Sequence, residues 1–128
     1  MSNFNTFKQT VREALLANSG VTTLVSTRVF GAQLATLFEV PYPCLTFHFE
    51  EGQDVVLLVK QFTMTVSSHS EKHFDEAHDI STAAFEVLKQ ATLNNTILIH
   101  SRGTPYEHYS RESRLYTVHR RYYVNYIG

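Results

Sequence analysis

Residues 61–91 read QFTMTVSSHSEKHFDEAHDISTAAFEVLKQA, and this stretch decides the fold. It begins with alternation, because Phe62, Met64 and Val66 are apolar and are separated by polar residues. After residue 71 the apolar residues recur at spacings of three and four: Phe74, Ala77, Ile80, Ala84, Val87, Leu88 and Ala91. Period two is typical of a strand and period 3.6 of a helix. The stretch therefore predicts a strand that leads directly into a helix packed on its own sheet.

The composition predicts one folded domain, spanning residues 1–128, with a sizeable core. Of the 128 residues, 43% are apolar and 12% are aromatic, which is typical of a globular chain. The net charge of −1 gives no overall basic signal for nucleic acid. Cys44 is the one cysteine, so an internal disulfide is excluded and assembly in a reducing cytosol is expected. No apolar run approaches the roughly 20 residues of a membrane helix, so no membrane partner is expected.

The chain before this stretch predicts a helix, a short strand and a loop. Apolar residues at helical spacing predict a first helix over residues 4–17. Asn18, Ser19 and Gly20 predict its end, because glycine accepts the left-handed conformation that often follows a helix. Residues 21–26 are predicted as one further helical turn and residues 28–30 as a short strand. Residues 31–43 contain Pro41 and Pro43 and predict a connecting loop, since proline cannot donate a ladder hydrogen bond.

Alternation on both sides of an acidic segment predicts a long antiparallel hairpin. Residues 44–50 alternate, residues 50–54 are polar and predict the turn, and residues 55–68 predict the return strand. The helix then spans residues 72–91, and residues 92–96 end it. A short strand over 97–100, an exposed loop or arm over 101–113 and a long strand over 114–127 follow. The predicted fold class is α+β: a mainly antiparallel sheet with a long hairpin, one long helix packed on the sheet and an N-terminal helix.

The histidines do not form a metal-binding pattern, although the chain has seven. His69, His73 and His78 lie near Asp75 and Asp79, but His69 falls at the predicted turn, and His73 and His78 are five residues apart. A zinc site needs ligands that converge at fixed geometry. We therefore predict surface histidines and no metal site. Three more histidines, His48, His100 and His119, lie on different predicted strands and are expected to face solvent or an interface.

No catalytic or cofactor site is predicted. Ser67, Ser68, His69 and Asp75 could be imagined as a hydrolase triad, but a triad is defined by convergent geometry, and no G-x-S-x-G elbow is present. Cys44 is predicted to be a small, buried strand residue. The five glycines are spread singly, so no phosphate-binding loop is expected and no cofactor is predicted.

The charges are unevenly distributed along the chain. Residues 101–128 hold five arginines against two glutamates, whereas residues 71–90 hold five carboxylates against two lysines. The simplest interpretation is an ordinary solvated helix and scattered arginines. The alternative is a pair of complementary surfaces in a ring of identical subunits, where two different patches of the same chain meet. The candidate contact residues are Glu50, Glu51, Asp54, Glu71, Asp75, Glu76, Asp79, Arg102, Arg111, Arg114, Arg120 and Arg121.

The order of these pieces resembles the tail completion and tail terminator proteins of long-tailed bacteriophages, the lambda-type terminator family. The residues that carry the resemblance are VREALLA at 11–17, GVTTLV at 20–25, RVF at 28–30, PYPCLTF at 41–47, FTMTV at 62–66, Glu76-Ala77 and RLY at 114–116. The resemblance covers almost the whole chain, and it is carried by the order and spacing of these segments. The chain departs from the family pattern in its apolar hairpin return over 55–59 and in its His-rich and Tyr-rich strands.

The resemblance implies a non-enzymatic structural protein of the virion, assembled in the bacterial cytoplasm. It implies a homo-oligomeric ring, typically of six subunits, at the head-proximal end of the tail tube. Such a ring ends tube polymerisation and presents a surface to the head connector or adaptor, and genomic DNA passes through its lumen without sequence-specific binding. The predicted acidic hairpin tip and the loops over 31–42 and 101–113 are the candidate contact elements. The alternatives are a head-side neck adaptor or head-closure protein and, with less support, a small metal-dependent hydrolase.

Overall fold

The computed structural model describes residues 3–32, 37, 40–50, 53–56, 59–93 and 96–127. The helices in these ranges are α1 (Asn3–Leu16), α2 (Ser19–Val25) and α3 (Phe74–Leu88). The strands in the same ranges are β1 (Val29–Phe30), β2 (Cys44–Phe49), β3 (Gln53–Val56), β4 (Val59–Ser70), β5 (Gln90–Leu93), β6 (Ile97–Ser110) and β7 (Leu115–Ile127).

The strands form one mixed sheet that curls into a half-barrel. Its strand order is β1-β2-β4-β7-β6-β5, and β3 pairs with β4 outside this path. The short β1 runs parallel to β2, whereas the other pairings are antiparallel. The predicted α+β class is confirmed: the sheet is mainly antiparallel, and helices pack on it.

All three helices cover the same face of the sheet, and the core lies between them. Along β4 the even-numbered Met64 and Val66 are buried under the helices, and along β7 Tyr122 and Val124 occupy the same layer. The other core residues come from α1, α2 and α3 and from β1, β2 and β6: Phe7, Val11, Leu15, Val21, Val25, Ile80, Ala84, Leu88, Val29, Leu45, Phe47, Ile97 and Ile99. The apolar stripes predicted for the first and last helices therefore point into this core as expected.

The strand-to-helix joint is held by a compact set of hydrogen bonds. Ser70 is fully buried, and its Oγ accepts hydrogen bonds from the backbone N–H groups of Lys72 and His73 and donates to Glu76 Oε1 at 2.6 Å. His73 is the N-cap of α3, because its Nδ1 accepts the N–H of Glu76 at 3.0 Å. His73 thus satisfies one of the free N–H groups at the start of the helix, and Ser70 braces the turn before it.

The predicted hairpin turn over residues 50–54 is wrong. Phe49 pairs with Met64 and Gln53 pairs with Gln61, so β3 continues along the same side of β4 after a one-residue shift in register. A second irregularity follows between Asp54 and Val56, and the chain reverses between β3 and β4. Register shifts in the pairing with β4, of the kind that a β-bulge produces, therefore lie on either side of Gln53 and Asp54. Glu50 therefore does not lie at a hairpin tip.

Two further boundaries differ from the prediction. Gln90–Leu93 forms strand β5 along β6, although residue 91 continues the helical spacing of α3 and was predicted as helix. The predicted loop over 101–113 is largely strand, because β6 extends to Ser110 and pairs with β7. A register shift between Arg102 and Tyr106, with Gly103 at φ +79°, interrupts that pairing. A positive φ suits glycine, which has no Cβ to clash.

The first helix ends within one residue of the prediction, but not through the predicted glycine turn. Asn18 caps α2, and its side chain accepts the N–H of Val21 at 3.2 Å. Gly20 lies inside α2 and not in a left-handed turn. The prediction assigned Asn18, Ser19 and Gly20 to a helix stop, whereas asparagine is as common at the start of a helix as glycine is after its end. Six of the thirteen residues of the predicted 31–43 loop, 33–36, 38 and 39, lie outside the described residues.

Replacing Ser70 with alanine is expected to lower the free energy of unfolding by about 1–3 kcal/mol. The change leaves two backbone N–H groups and the Glu76 carboxylate without their shared partner at a buried site. Urea denaturation followed by circular dichroism measures this loss. The exposed Ser19→Ala in α2 is the matched control and should change stability by less than about 0.5 kcal/mol. Equal effects from the two substitutions would contradict this role for Ser70.

Candidate interaction surfaces

The face of the sheet opposite the helices, here called the polar face, is lined by hydroxyl, imidazole and guanidinium groups. On β4 and β7 it comprises Gln61, Thr63, Thr65, Ser67, His69, Thr117, His119, Arg121, Tyr123 and Asn125. On β2 it adds Cys44, Thr46 and His48, and on β6 it adds Leu98, His100, Arg102, Tyr106, His108 and Ser110. Five of the seven histidines in the chain therefore share one face, since residues two apart along a strand point the same way.

His69 is buried at the centre of this face, and its prediction as a surface histidine is wrong. Only 4% of its surface is exposed, and its ring nitrogens lie 2.9 Å from Thr46 Oγ1 and 3.0 Å from Thr117 Oγ1. A hydroxyl both donates and accepts, so the two threonines satisfy either tautomer of the neutral ring. Burial, with a smaller contribution from the neighbouring His119, lowers the pKa of His69 to about 4. The ring is therefore neutral at physiological pH.

Ser67 and His119 form a second pair on the polar face, but not a catalytic triad. Ser67 Oγ lies 2.7 Å from His119 Nδ1. Burial, His108, His48 and Arg121 together lower the pKa of His119. In a hydrolase a carboxylate orients such a base, and no carboxylate among the described residues bonds to His119. Asp75, the predicted third member, is exposed on α3, which covers the other face of the sheet.

A cavity of about 380 Å³ opens beside these histidines. Its lining includes Tyr42, His69, His108, Thr117 and His119. Cys44 is a buried free thiol, as predicted, and burial raises its pKa to about 12 even though Arg28 acts in the opposite direction. A thiol that stays protonated is a poor nucleophile. Within the described ranges, no group of three or more His, Cys, Asp or Glu side chains is arranged to hold a metal ion.

The acidic candidates divide into a free row and internally bonded residues. Asp75 and Asp79 are exposed and four residues apart on α3, so they lie on one side of that helix and are here called the acidic row, whereas Glu71 is exposed but precedes the helix. No ion pair links them to another part of the chain that the structure describes. Glu76 points back to Ser70 and lies 3.9 Å from Lys72 Nζ, so it serves the fold of its own subunit.

The arginine candidates lie on three separate surfaces. Arg120 faces α3, where its guanidinium lies 4.3 Å from the centre of the Phe85 ring and its Nε donates to Ser81 Oγ. Arg102 and Arg121 are exposed on the polar face. Arg111 and Arg114 are exposed in the turn between β6 and β7, here called the arginine turn, and Arg114 has φ +55°. The linear cluster of five arginines therefore does not form one patch.

The remaining acidic candidates do not form the predicted tip. Glu50 lies just after β2 and accepts a hydrogen bond from Thr65 Oγ1 at 3.4 Å. Asp54 lies in β3, opposite Lys60. Glu51 lies outside the described residues. The histidine–threonine network was missed, although Thr46, Ser67, Thr117 and His119 occupy alternate positions of three predicted strands. His69 continues the alternation of Ser67 one residue beyond the predicted end of its strand, and this alternation was the available signal.

Comparison with known proteins shows a similarity in fold to a solved structure. No protein-family model and no curated protein sequence matches the chain. A chain in the structure of the virion of a native gene transfer agent particle is similar, with a TM-score of 0.72. The two chains are 14% identical, and the likeness covers 94% of each. At this identity the likeness establishes a shared α+β fold over nearly the whole chain. Among the described residues, no helix has the length and apolar character needed to cross a membrane.

The buried His69 predicts loss of stability in mild acid. The unfolded chain binds a proton at this histidine with a pKa near 6.5, whereas the folded protein does so only near pH 4. Between those values the unfolded state holds more protons, so the free energy of unfolding falls as the pH falls, and the decline levels off below about pH 4. The expected loss from this residue between pH 7.5 and 4 is roughly 3 kcal/mol.

Urea denaturation at a series of pH values tests this prediction. His69→Gln removes the titrating group, so its stability should decline less steeply than that of the unmodified protein between pH 6.5 and 4, whatever its stability at pH 7.5. The exposed His100→Gln is the control and should keep the original slope. Parallel curves for His69→Gln and the unmodified protein would contradict the assignment.

Proposed function

We propose that the chain is a structural protein of a phage-type virion. In this proposal it forms a homo-oligomeric ring, of six subunits by analogy with the terminator family, at the head-proximal end of the tail tube. The ring ends polymerisation of the tube and presents the surface that meets the head-side connector or adaptor. Genomic DNA passes through its lumen without sequence-specific binding. Assembly takes place in the bacterial cytoplasm, and the finished protein resides in the tail or neck of the virion.

The observation that carries this proposal is the likeness in fold to a chain of the gene transfer agent virion over 94% of both chains. A fold hosts many functions, so the likeness alone supports a structural role only by analogy. The sequence resemblance to tail terminators over almost the whole chain points to the same kind of particle. The polar face adds no assembled catalytic triad or metal cluster among the described residues that would favour an enzyme.

The charged surfaces support a head-to-tail contact between identical subunits. The acidic row and the arginine turn are both exposed, carry opposite charges and have no ion-pair partner within the described residues of their own subunit. Two different patches that attract each other generate a ring when the rotation closes. The outer edge of β6 beyond Ser101 offers a second element, because β5 pairs only with residues 97–100. An unpaired strand edge is suited to pairing with another chain.

Reversing the charge of the arginine turn is expected to prevent ring formation. In the double variant Arg111→Glu/Arg114→Glu, like charges would face each other at the contact, and self-association should weaken by about tenfold or more. Combining it with Asp75→Arg/Asp79→Arg exchanges the two signs and should restore the ring. Sedimentation velocity measures the oligomer, and circular dichroism confirms folding.

The exchanged-charge variant is its own control, because it keeps the net charge of the unmodified protein. A ring that survives the first reversal would exclude this contact. If Arg111→Glu/Arg114→Glu prevents the ring and adding Asp75→Arg/Asp79→Arg does not restore it, the arginine turn contacts a surface other than the acidic row. A protein that stays monomeric at high concentration, also with purified tail tube protein, would contradict the ring itself.

A head-side neck adaptor or head-closure protein is the second candidate, since a likeness in fold to a virion chain supports a neck component equally well. The two roles differ in the partner that the ring contacts. Electron micrographs of the purified protein mixed with tail tubes should show it at one end of each tube if it is a terminator. Binding to purified portal or adaptor protein and not to tubes would favour the neck role.

A further inference from the structure

A row of arginine and tyrosine side chains crosses the polar face. Arg102 on β6 and Arg121 on β7 are cross-strand partners. The Arg102 guanidinium lies 5.1 Å from the centre of the Tyr123 ring and donates to Thr63 Oγ1, whereas that of Arg121 lies 5.3 Å from the Tyr106 ring and donates to the Tyr106 hydroxyl. We call these four residues the Arg–Tyr row. The cation–π contacts and hydrogen bonds hold each guanidinium in a fixed place.

The row carries two positive charges, and the described carboxylate on the same face, Glu50, bonds to Thr65, the cross-strand partner of Arg121. Neither arginine has an ion pair within the described part of the chain, and both are exposed. Each uses one N–H in a hydrogen bond to a described side chain and keeps its other donors for a ligand. Like charges directly opposite each other in an antiparallel pair are destabilising. An uncompensated pair of this kind is an anion-binding arrangement.

The direction of the two side chains favours a polyanion. Arg102 reaches toward Tyr123, and Arg121 reaches toward Tyr106, on the other side of the register shift. The two guanidinium groups therefore lie at successive places along the strands and do not converge on one point. A single carboxylate of a neighbouring subunit satisfies one of them, whereas a chain of regularly spaced phosphates satisfies both.

The aromatic rings favour contact with the nucleic-acid backbone over contact with bases. Tyr106 packs against Arg121 and against the His119 ring, with ring centres 4.9 Å apart, and Tyr123 packs against Arg102 and against the His100 ring at 5.4 Å. Both rings already contact neighbours in their own subunit, which leaves less of each ring face for stacking on unpaired bases, although Tyr106 keeps 43% of its surface exposed. Phosphate contacts position a duplex without reading its sequence.

We propose that the Arg–Tyr row binds the phosphate backbone of duplex DNA without reading its sequence. This inference rests on the proposed function, in which the DNA is the genome that passes through the ring. It places the polar face of each subunit at the lumen. A ring repeats the row around the duplex, so weak contacts from single subunits act together.

Binding of a fluorescent duplex to the full-length protein, measured by anisotropy between roughly 50 and 200 mM salt, tests the inference. The double variant Arg102→Gln/Arg121→Gln should bind at least about tenfold more weakly, and its plot of log affinity against log salt should be shallower. The matched control Lys72→Gln/Lys89→Gln removes the same charge from exposed lysines beside α3, outside both the Arg–Tyr row and the proposed ring contact, and should bind DNA as the unmodified protein does. Duplexes of unrelated sequence should bind equally.

The outcomes separate the inference from the proposed function. Unchanged DNA binding by Arg102→Gln/Arg121→Gln, or no binding by the unmodified protein at low salt, overturns the inference while sedimentation still reports the ring. Loss of self-association with unchanged DNA binding shows that the row takes a carboxylate of a second copy, which also overturns it. If both double variants lose the same DNA affinity at the same oligomeric state, the loss reflects net charge alone, and the inference is overturned as well. A DNA loss specific to the row, in a protein that forms no ring, supports the inference and contradicts the proposed function.

Discussion

The pairing of β4 with β7 is the constraint on which the rest of the structure depends. The two strands run side by side from Val59↔Ile127 to Ser70↔Tyr116 without a register shift. Because the side-chain period of a strand is two, this pairing sorts every residue of both strands to one of two faces. A shift of β7 by one residue against β4 would place Tyr122 and Val124 on the polar face and turn His119 and Arg121 toward the helices. The hydrophobic core and the polar face are therefore set by the same pairing.

The sequence predicted those elements in which one period governs a long segment. β4, α3 and β7 were predicted within a few residues, because their apolar residues repeat over most of each element, with Lys60 and Arg120 as exceptions. The prediction from sequence was wrong where the spacing of apolar residues fits both a helix and a strand. Residue 91 fits the helical stripe of α3, yet Gln90–Leu93 pairs with β6, and only the presence of that neighbouring strand decides between the two. β6 was underestimated for a similar reason, since its second half is polar and contains Gly103 and Pro105, which indicate a loop in isolation.

The candidate site was predicted less well than the fold, because it depends on cross-strand neighbours. His69 and His119 were assigned to the surface by residue type, whereas the structure surrounds His69 with two threonine hydroxyls and places Ser67 against His119. Buried polar groups that are fully hydrogen-bonded add specificity to a fold, because a different register leaves them without partners. The histidine–threonine network therefore helps to fix the register of β2, β4 and β7. The hydrophobic pattern of these strands favours the same register.

The alternation of side chains along a strand also explains how a chain with a net charge of −1 presents arginines together on one surface. Arg120 and Arg121 are adjacent in sequence, but one stacks on Phe85 under α3 and the other lies exposed on the polar face. The exposed carboxylates of the acidic row lie with α3 on the opposite side of the sheet. Charge counted along the sequence averages over the two faces and conceals this separation. The proposed contact with a neighbouring subunit and the proposed binding of a polyanion use charges on different surfaces, and the alternation of β7 contributes to that separation by placing Arg120 and Arg121 on opposite faces.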